Sequence, residues 1–162
     1  MNYLDIPTRI NEIRKNTKSK INRTEKRLNQ KIEIDEATGL ILNKEVLTTK
    51  DLEDIELLIR LDSELICDYL AEYLYKFFIT RFHIKDTDSE YFDGSYVVTF
   101  HLLDSDAIRI EVLYDGFEVS TCKFDYKNTL KITNKRVFKG VKPVVNYIEK
   151  ELNHLELENY LF

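Results

Sequence analysis

Residues 96–124 read YVVTFHLLDSDAIRIEVLYDGFEVSTCKF, and this stretch decides the fold. Three runs rich in β-branched and aromatic residues, 96–103, 108–114 and 117–124, are separated by short polar breaks, the signature of an antiparallel meander. Asp115-Gly116 is a two-residue turn signal of type I′. It sets Tyr114 opposite Phe117, Val112 opposite Val119 and Ile110 opposite Thr121. Ile108, Ile110, Val112, Tyr114, Phe117 and Val119 then share the core-directed face. Arg109, Glu111, Leu113, Glu118, Ser120 and Cys122 share the other, as expected of an antiparallel sheet with one solvated face.

Upstream, residues 49–82 contain no Gly or Pro, and Leu52, Ile55, Ile59, Ile66, Leu70, Tyr73 and Phe77 recur at helical spacing. Leu58, Leu61, Leu65, Tyr69 and Phe78 broaden that stripe, so this is the central core helix. Thr48 with Asp51 forms a capping box at its start. Between this helix and the meander, 83–93 reads as a polar loop.

At the N-terminus, Ile6, Ile10, Ile13, Thr17, Ile21, Thr24 and Leu28 follow one another at gaps of three and four, a narrow helical stripe. Asp5 is the expected cap, and Pro7 is tolerated in the first turn. Two β-branched runs around Asp35 to Gly39 predict a hairpin over 32–42. Downstream, 130–132 and 137–138 add a fourth strand interrupted by a basic loop, and a last helix starts near Pro143. The fold class is α+β: an antiparallel meander of three to four strands on a long central helix, with a basic N-terminal helix, a small hairpin and a C-terminal helix. Residues 1–31 read as a basic amphipathic helical arm, and 32–162 as an acidic α+β domain.

With four Gly and two Pro among 162 residues and 43% hydrophobic content, the chain is neither collagen-like nor disordered. No apolar run is long enough to cross a bilayer, and the first residues lack the plan of a signal peptide. Two cysteines suit reduced thiols, so the expected location is the cytoplasm.

The formal net charge of −5 conceals a segmented layout. Residues 1–31 carry nine Lys/Arg against three Asp/Glu; 32–122 carry seven against twenty-one; 123–142 carry seven against one. Such asymmetry bears on partners and not on fold. The acidic candidates are Asp86, Asp88, Glu90, Asp93, Asp104, Asp106, Glu111 and Glu118. The basic candidates are Arg14, Lys15, Lys18, Arg23, Lys26 and Arg27 on the first helix, with Lys131, Lys135, Arg136 and Lys139 further on. The bland alternative is that the blocks neutralise one another on folding.

Chemistry-bearing motifs are absent. No glycine-rich phosphate loop can be written, no cysteine pair has metal spacing, and no nucleophile elbow occurs. Asp86-x-Asp88-x-Glu90 opens like a calcium loop but places Tyr91 where Gly is needed and Val97 where a bidentate Glu belongs. His101 and Glu111 on the polar face could form an acid–base pair, though a solvated cross-strand neighbour is the commoner role. Glu111 and Glu118 lack the accompanying lysine of a metal-dependent nuclease. The expectation is therefore no enzyme, no cofactor, no metal and no catalytic residue.

The leading expectation is a binding protein whose acidic surface occupies the basic nucleic-acid channel of a larger protein, for instance a bacterial defence nuclease or its RNA complex. In size and charge layout the chain resembles some phage-encoded inhibitors of host defence, such as anti-CRISPR or anti-restriction proteins, a likeness that rests on no motif. The alternative is direct RNA or DNA binding through the basic first helix and the basic 123–142 segment. A homodimer through the first helix is a further alternative.

Overall fold

The computed structural model describes residues 2–92, 94–102 and 105–161, with side chains as far as 156. Asp93, Leu103 and Asp104 lie outside the described residues, so two of the acidic candidates have no structural account. Three long helices, α1 (Ile6–Leu28), α2 (Thr49–Phe78) and α3 (Val141–Leu161), accompany one five-stranded sheet. Its strands are β1 (Ile84–Phe92), β2 (Ser95–Leu102), β3 (Asp106–Leu113), β4 (Gly116–Phe124) and β5 (Leu130–Phe138). Each pairs antiparallel with its neighbour in the chain, in the order β1-β2-β3-β4-β5.

The α+β class and the meander are as expected, with five strands in place of three to four. The additional strand is β1, where a polar loop was expected. It pairs with β2 from Phe92↔Ser95 back to Ile84↔Leu102, with a bulge at Lys85. An edge strand has an unpaired side and an exposed face, so it tolerates charged side chains that an inner strand would not. At the other edge, β5 runs unbroken through the expected basic loop, and its residues 131–137 are all exposed.

The hairpin expected over 32–42 shrinks to a single bridge, Ile34↔Ile41. Its turn is ordered all the same. Asp35 Oδ1 accepts from the backbone N–H groups of Ala37 and Thr38, and Gly39 takes φ 74° against the Ile59 side chain. Two strands alone make a marginal sheet, and here the segment closes over a small apolar cluster of Ile21, Ile32, Ile41, Ile55 and Ile59.

The register of β3 and β4 also differs. Val112 faces Phe117 and Ile110 faces Val119, with Leu113 opposite Gly116, so the two-residue connection is Tyr114-Asp115. The backbone N–H groups of Tyr114 and Asp115 donate to the Ala37 and Glu36 carbonyls, and the Tyr114 ring packs against the small cluster. Tertiary contacts thus outweigh the local preference of Asp-Gly. A two-residue slip preserves the alternation of faces, so the expected core face survives.

That face carries Val98, Phe100, Ile108, Ile110, Val112, Phe117 and Val119, and it shares one core with Ile6, Ile10 and Ile13 of α1, Ile66, Leu70, Leu74 and Phe78 of α2, and Val144, Ile148 and Leu152 of α3. All three helices pack on the same side, and the basic first helix contributes its stripe to this core. α1 and α2 run antiparallel. Arg27 meets Asp51 at one end, Thr17 meets Asp62 midway, and the Tyr3 and Tyr73 rings lie 6.2 Å apart at the other. α2 begins as expected, with the Thr48 hydroxyl accepting from the Asp51 N–H. Asp5 makes no side-chain cap; Asn2 instead caps the short 3-10 turn Tyr3–Asp5.

Candidate functional site

The two edge strands of the sheet carry opposite net charge. On β1, Asp86, Asp88 and Glu90 alternate with helix-facing residues and are exposed. On β5 stand Lys131, Lys135 and Arg136, also exposed. Three strands intervene, roughly 19 Å of sheet at about 4.8 Å per strand.

At the acidic edge, Asp86, Asp88, His101 and Asp106 line a shallow depression of about 740 Å³ with Lys85, Ser105 and Phe124. His101 Nε2 lies 3.0 Å from Asp88 Oδ2, and its ring stacks on Phe124 at 5.9 Å. The sheet register separates His101 from Glu111. His101 faces Ala107, whereas Glu111 faces Val97, four residues along β2. The contemplated His101–Glu111 acid–base pair therefore does not form.

Glu111 and Glu118 sit directly opposite each other on β3 and β4, a destabilising arrangement for like charges. Two neighbours relieve it. Ser95 Oγ donates to Glu111 Oε1 at 2.6 Å, and Lys135 Nζ approaches Glu118 Oε1 at 3.5 Å. Among the described residues no group of three or more His, Cys, Asp or Glu side chains is placed to hold a metal ion, and no helix is long and apolar enough to cross a membrane.

The basic candidates separate into three kinds. Arg14 is internal. Its Nη2 donates to the Leu113 carbonyl at 2.9 Å and the Gly116 carbonyl at 2.8 Å, and its guanidinium lies 4.4 Å from the centre of the Phe117 ring. Arg14 is thus not an outward-facing basic contact, because it falls beside the Ile10–Thr17 stripe, on the sheet-facing flank of α1. Lys18, Arg27, Lys135 and Lys139 pair with acidic residues of the middle segment, and Arg136 lies 5.4 Å from the Tyr147 ring centre. Lys15, Arg23, Lys26 and Lys131 are exposed and form no ion pair among the described residues. The bland expectation is thus met in part: five ion pairs among the described residues, the fifth being Lys123–Asp106, join a basic to an acidic segment.

Sequence reading did not find two further constellations. One is the junction of both basic segments at the β3–β4 connection, where Lys18 and Lys139 each bind Asp115. Desolvation pushes the Asp115 carboxyl up, but the two ammonium groups more than offset it and leave its pKa below the usual carboxylate range. The other is a polar seam between α1 and α2. Asp62 accepts from the Thr17 hydroxyl beside a crevice of about 20 Å³ lined by Arg14, Thr17, Ile59 and Asp62, room for a single water. Burial pushes the Asp62 carboxyl up to about 6.

The seam has a pH consequence. The folded Asp62 pKa exceeds that of the unfolded chain, so the folded state binds the proton more tightly. The resulting stability is complete below about pH 4 and is lost as pH rises through about 6. Asp62→Asn removes that penalty. Allowing for solvent screening of a half-exposed group, the variant is expected to be about 1 kcal/mol more stable than the parent above pH 7. Its melting temperature should rise by roughly 2–4 °C, and the gain should vanish at pH 4. A gain of equal size at both pH values refutes the assignment.

No family model, curated protein or solved structure matches this chain.

Proposed function

We propose that the protein is a non-enzymatic binding protein, of the anti-CRISPR or anti-restriction kind, that lays its acidic edge into the basic nucleic-acid channel of a larger protein. The observation that carries this reading is the row Asp86, Asp88 and Glu90 on one exposed edge strand. Same-face residues of a strand repeat every 6.6–6.8 Å, or about 7 Å, a spacing close to that of successive phosphates along an extended nucleic-acid strand. Glu111 extends the negative field behind this row, while Glu118 is paired with Lys135. The unpaired backbone of β1 offers further hydrogen bonds to whatever lies alongside it. A partner channel evolved for phosphates would be steered towards such an edge, with marked sensitivity to salt.

The test is capture of a nucleic-acid-binding protein from host lysate, followed by reconstitution with the purified partner. Competing DNA or RNA is expected to displace the protein. Replacing Asp86 and Asp88 with Asn and Glu90 with Gln is expected to weaken binding at least tenfold, while the melting temperature stays within about 2 °C, as befits exposed side chains. Binding that survives this triple change overturns the reading.

A further inference from the structure

Lys18 and Lys139 come from the two basic segments and converge on opposite oxygens of one carboxylate. Lys18 Nζ donates to Asp115 Oδ1 at 3.0 Å, and Lys139 Nζ donates to Asp115 Oδ2 at 3.1 Å. Both ammonium groups remain largely open to water, with the lysine side chains 54% and 71% exposed. Around them Asn11, Lys15, Ser19 and Asn22 line a surface depression of about 390 Å³. The site therefore holds an anion of its own, clasped by two cations and surrounded by amide and hydroxyl groups.

Exposed ion pairs of this kind hold only weakly, so an external polyanion can replace the internal carboxylate. A phosphodiester presents two anionic oxygens, as a carboxylate does, but along a nucleic-acid strand these groups repeat and their neutralisation releases counterions. Lys, Asn and Ser are common contacts to nucleic-acid phosphate and sugar. The site also continues along the helix. Lys15, Ser19, Asn22 and Lys26 recur at gaps of four, three and four on the exposed side of α1, a line about 16 Å long at 1.5 Å per residue. A line of that length tracks a polymer backbone and exceeds a single phosphate or lipid headgroup.

We infer that this depression binds the phosphate backbone of nucleic acid, and that Asp115 is a built-in competitor which a backbone phosphate displaces from Lys18 and Lys139. The depression lies on the α1 side of the β3–β4 connection and uses none of the acidic residues of β1, so it stands or falls independently of the acidic edge.

The test is fluorescence anisotropy of a short labelled single-stranded oligonucleotide titrated with the full chain at several salt concentrations. Four engaged lysines, Lys15, Lys18, Lys26 and Lys139, give a slope of log K on log salt of about −2.8. Replacing Lys18 and Lys139 together with Gln is expected to reduce that slope by about 1.4. Asp115→Asn keeps the length of the turn and removes the competitor, so it should tighten binding about fivefold at equal salt. Unchanged or weaker binding by Asp115→Asn overturns the inference, as does an unaltered slope in the double Gln variant. Preference for phosphatidylserine vesicles or for polyglutamate over the oligonucleotide overturns it as well, by assigning the surface to a membrane or to an acidic protein.

Discussion

Phe78→Ala is expected to lower stability by about 3–5 kcal/mol, which in a chain of this length is a fall in melting temperature of about 6–20 °C. Phe78 closes the last turn of α2 and is fully buried. Its ring meets Phe77 edge-on at 4.9 Å and Phe82 at 5.8 Å, with the Arg81 guanidinium 5.6 Å away. Truncation removes the largest single apolar surface at the point where α2 hands over to the sheet, and neighbouring rings are too rigid to collapse into the gap. Phe78→Leu retains most of the volume and should lose less than half as much. Urea unfolding followed by circular dichroism measures both. A loss below about 1 kcal/mol for the Ala variant would show that this end of the core is loosely packed.

Arg14→Ala is expected to cost about 3 kcal/mol. Each hydrogen bond from a charged group to a carbonyl contributes roughly 1.5–3 kcal/mol, and Arg14 makes two, to Leu113 and Gly116. Against this stands the cost of keeping a guanidinium partly out of water, which also lowers its pKa despite the nearby Asp115. Arg14→Met keeps the aliphatic packing against Phe117 and loses only the polar contacts, so it should fall between the parent and the Ala variant. Arg14→Lys keeps the charge but not the planar fork, and it should not restore stability. The Leu113 and Gly116 carbonyls flank Tyr114-Asp115, so loss of Arg14 also loosens the connection that holds Asp115 between its two lysines. Equal stability of the Lys variant and the parent would mean that charge alone matters here.

Much of this architecture is legible in the chain because its core obeys simple periodicities. The stripe of α1, the capping box at Thr48 and the alternation in β2, β3 and β4 are all dictated by where apolar surface must go. The parts that escape reading are those whose residues never enter the core. Lys85–Glu90 offer no run of apolar alternation, because an edge strand needs burial only at its inner end, here Ile84. The overlooked signal was Asp93-Gly94, a turn dipeptide of the same kind as Asp115-Gly116, placed between Phe92 and Ser95. The latter dipeptide was itself misleading, since Tyr114 is drawn towards Ile59 and Gly39 from far along the chain. Of the candidate surfaces, the sequence shows the sign of each charge block but not which members face inward. Arg14 turns to the sheet, while Lys18, one helical turn later, reaches the surface at Asp115. The Lys18–Asp115–Lys139 junction needs three segments brought together and has no local signature.

Because the strands follow one another across the sheet in chain order, it is assembled from four hairpins between neighbouring segments, although the register of β3–β4 also depends on the remote turn at 36–39. Loop closure over such short separations is cheap in entropy, and topologies dominated by near neighbours fold quickly. The contacts of α1 with β3 and β4 span about a hundred residues and carry a larger closure cost than those of the hairpins. α1 leaves the ribosome first yet can dock on the sheet only once β3 and β4 have followed it, so at this helix the order of synthesis and the order of docking are opposed.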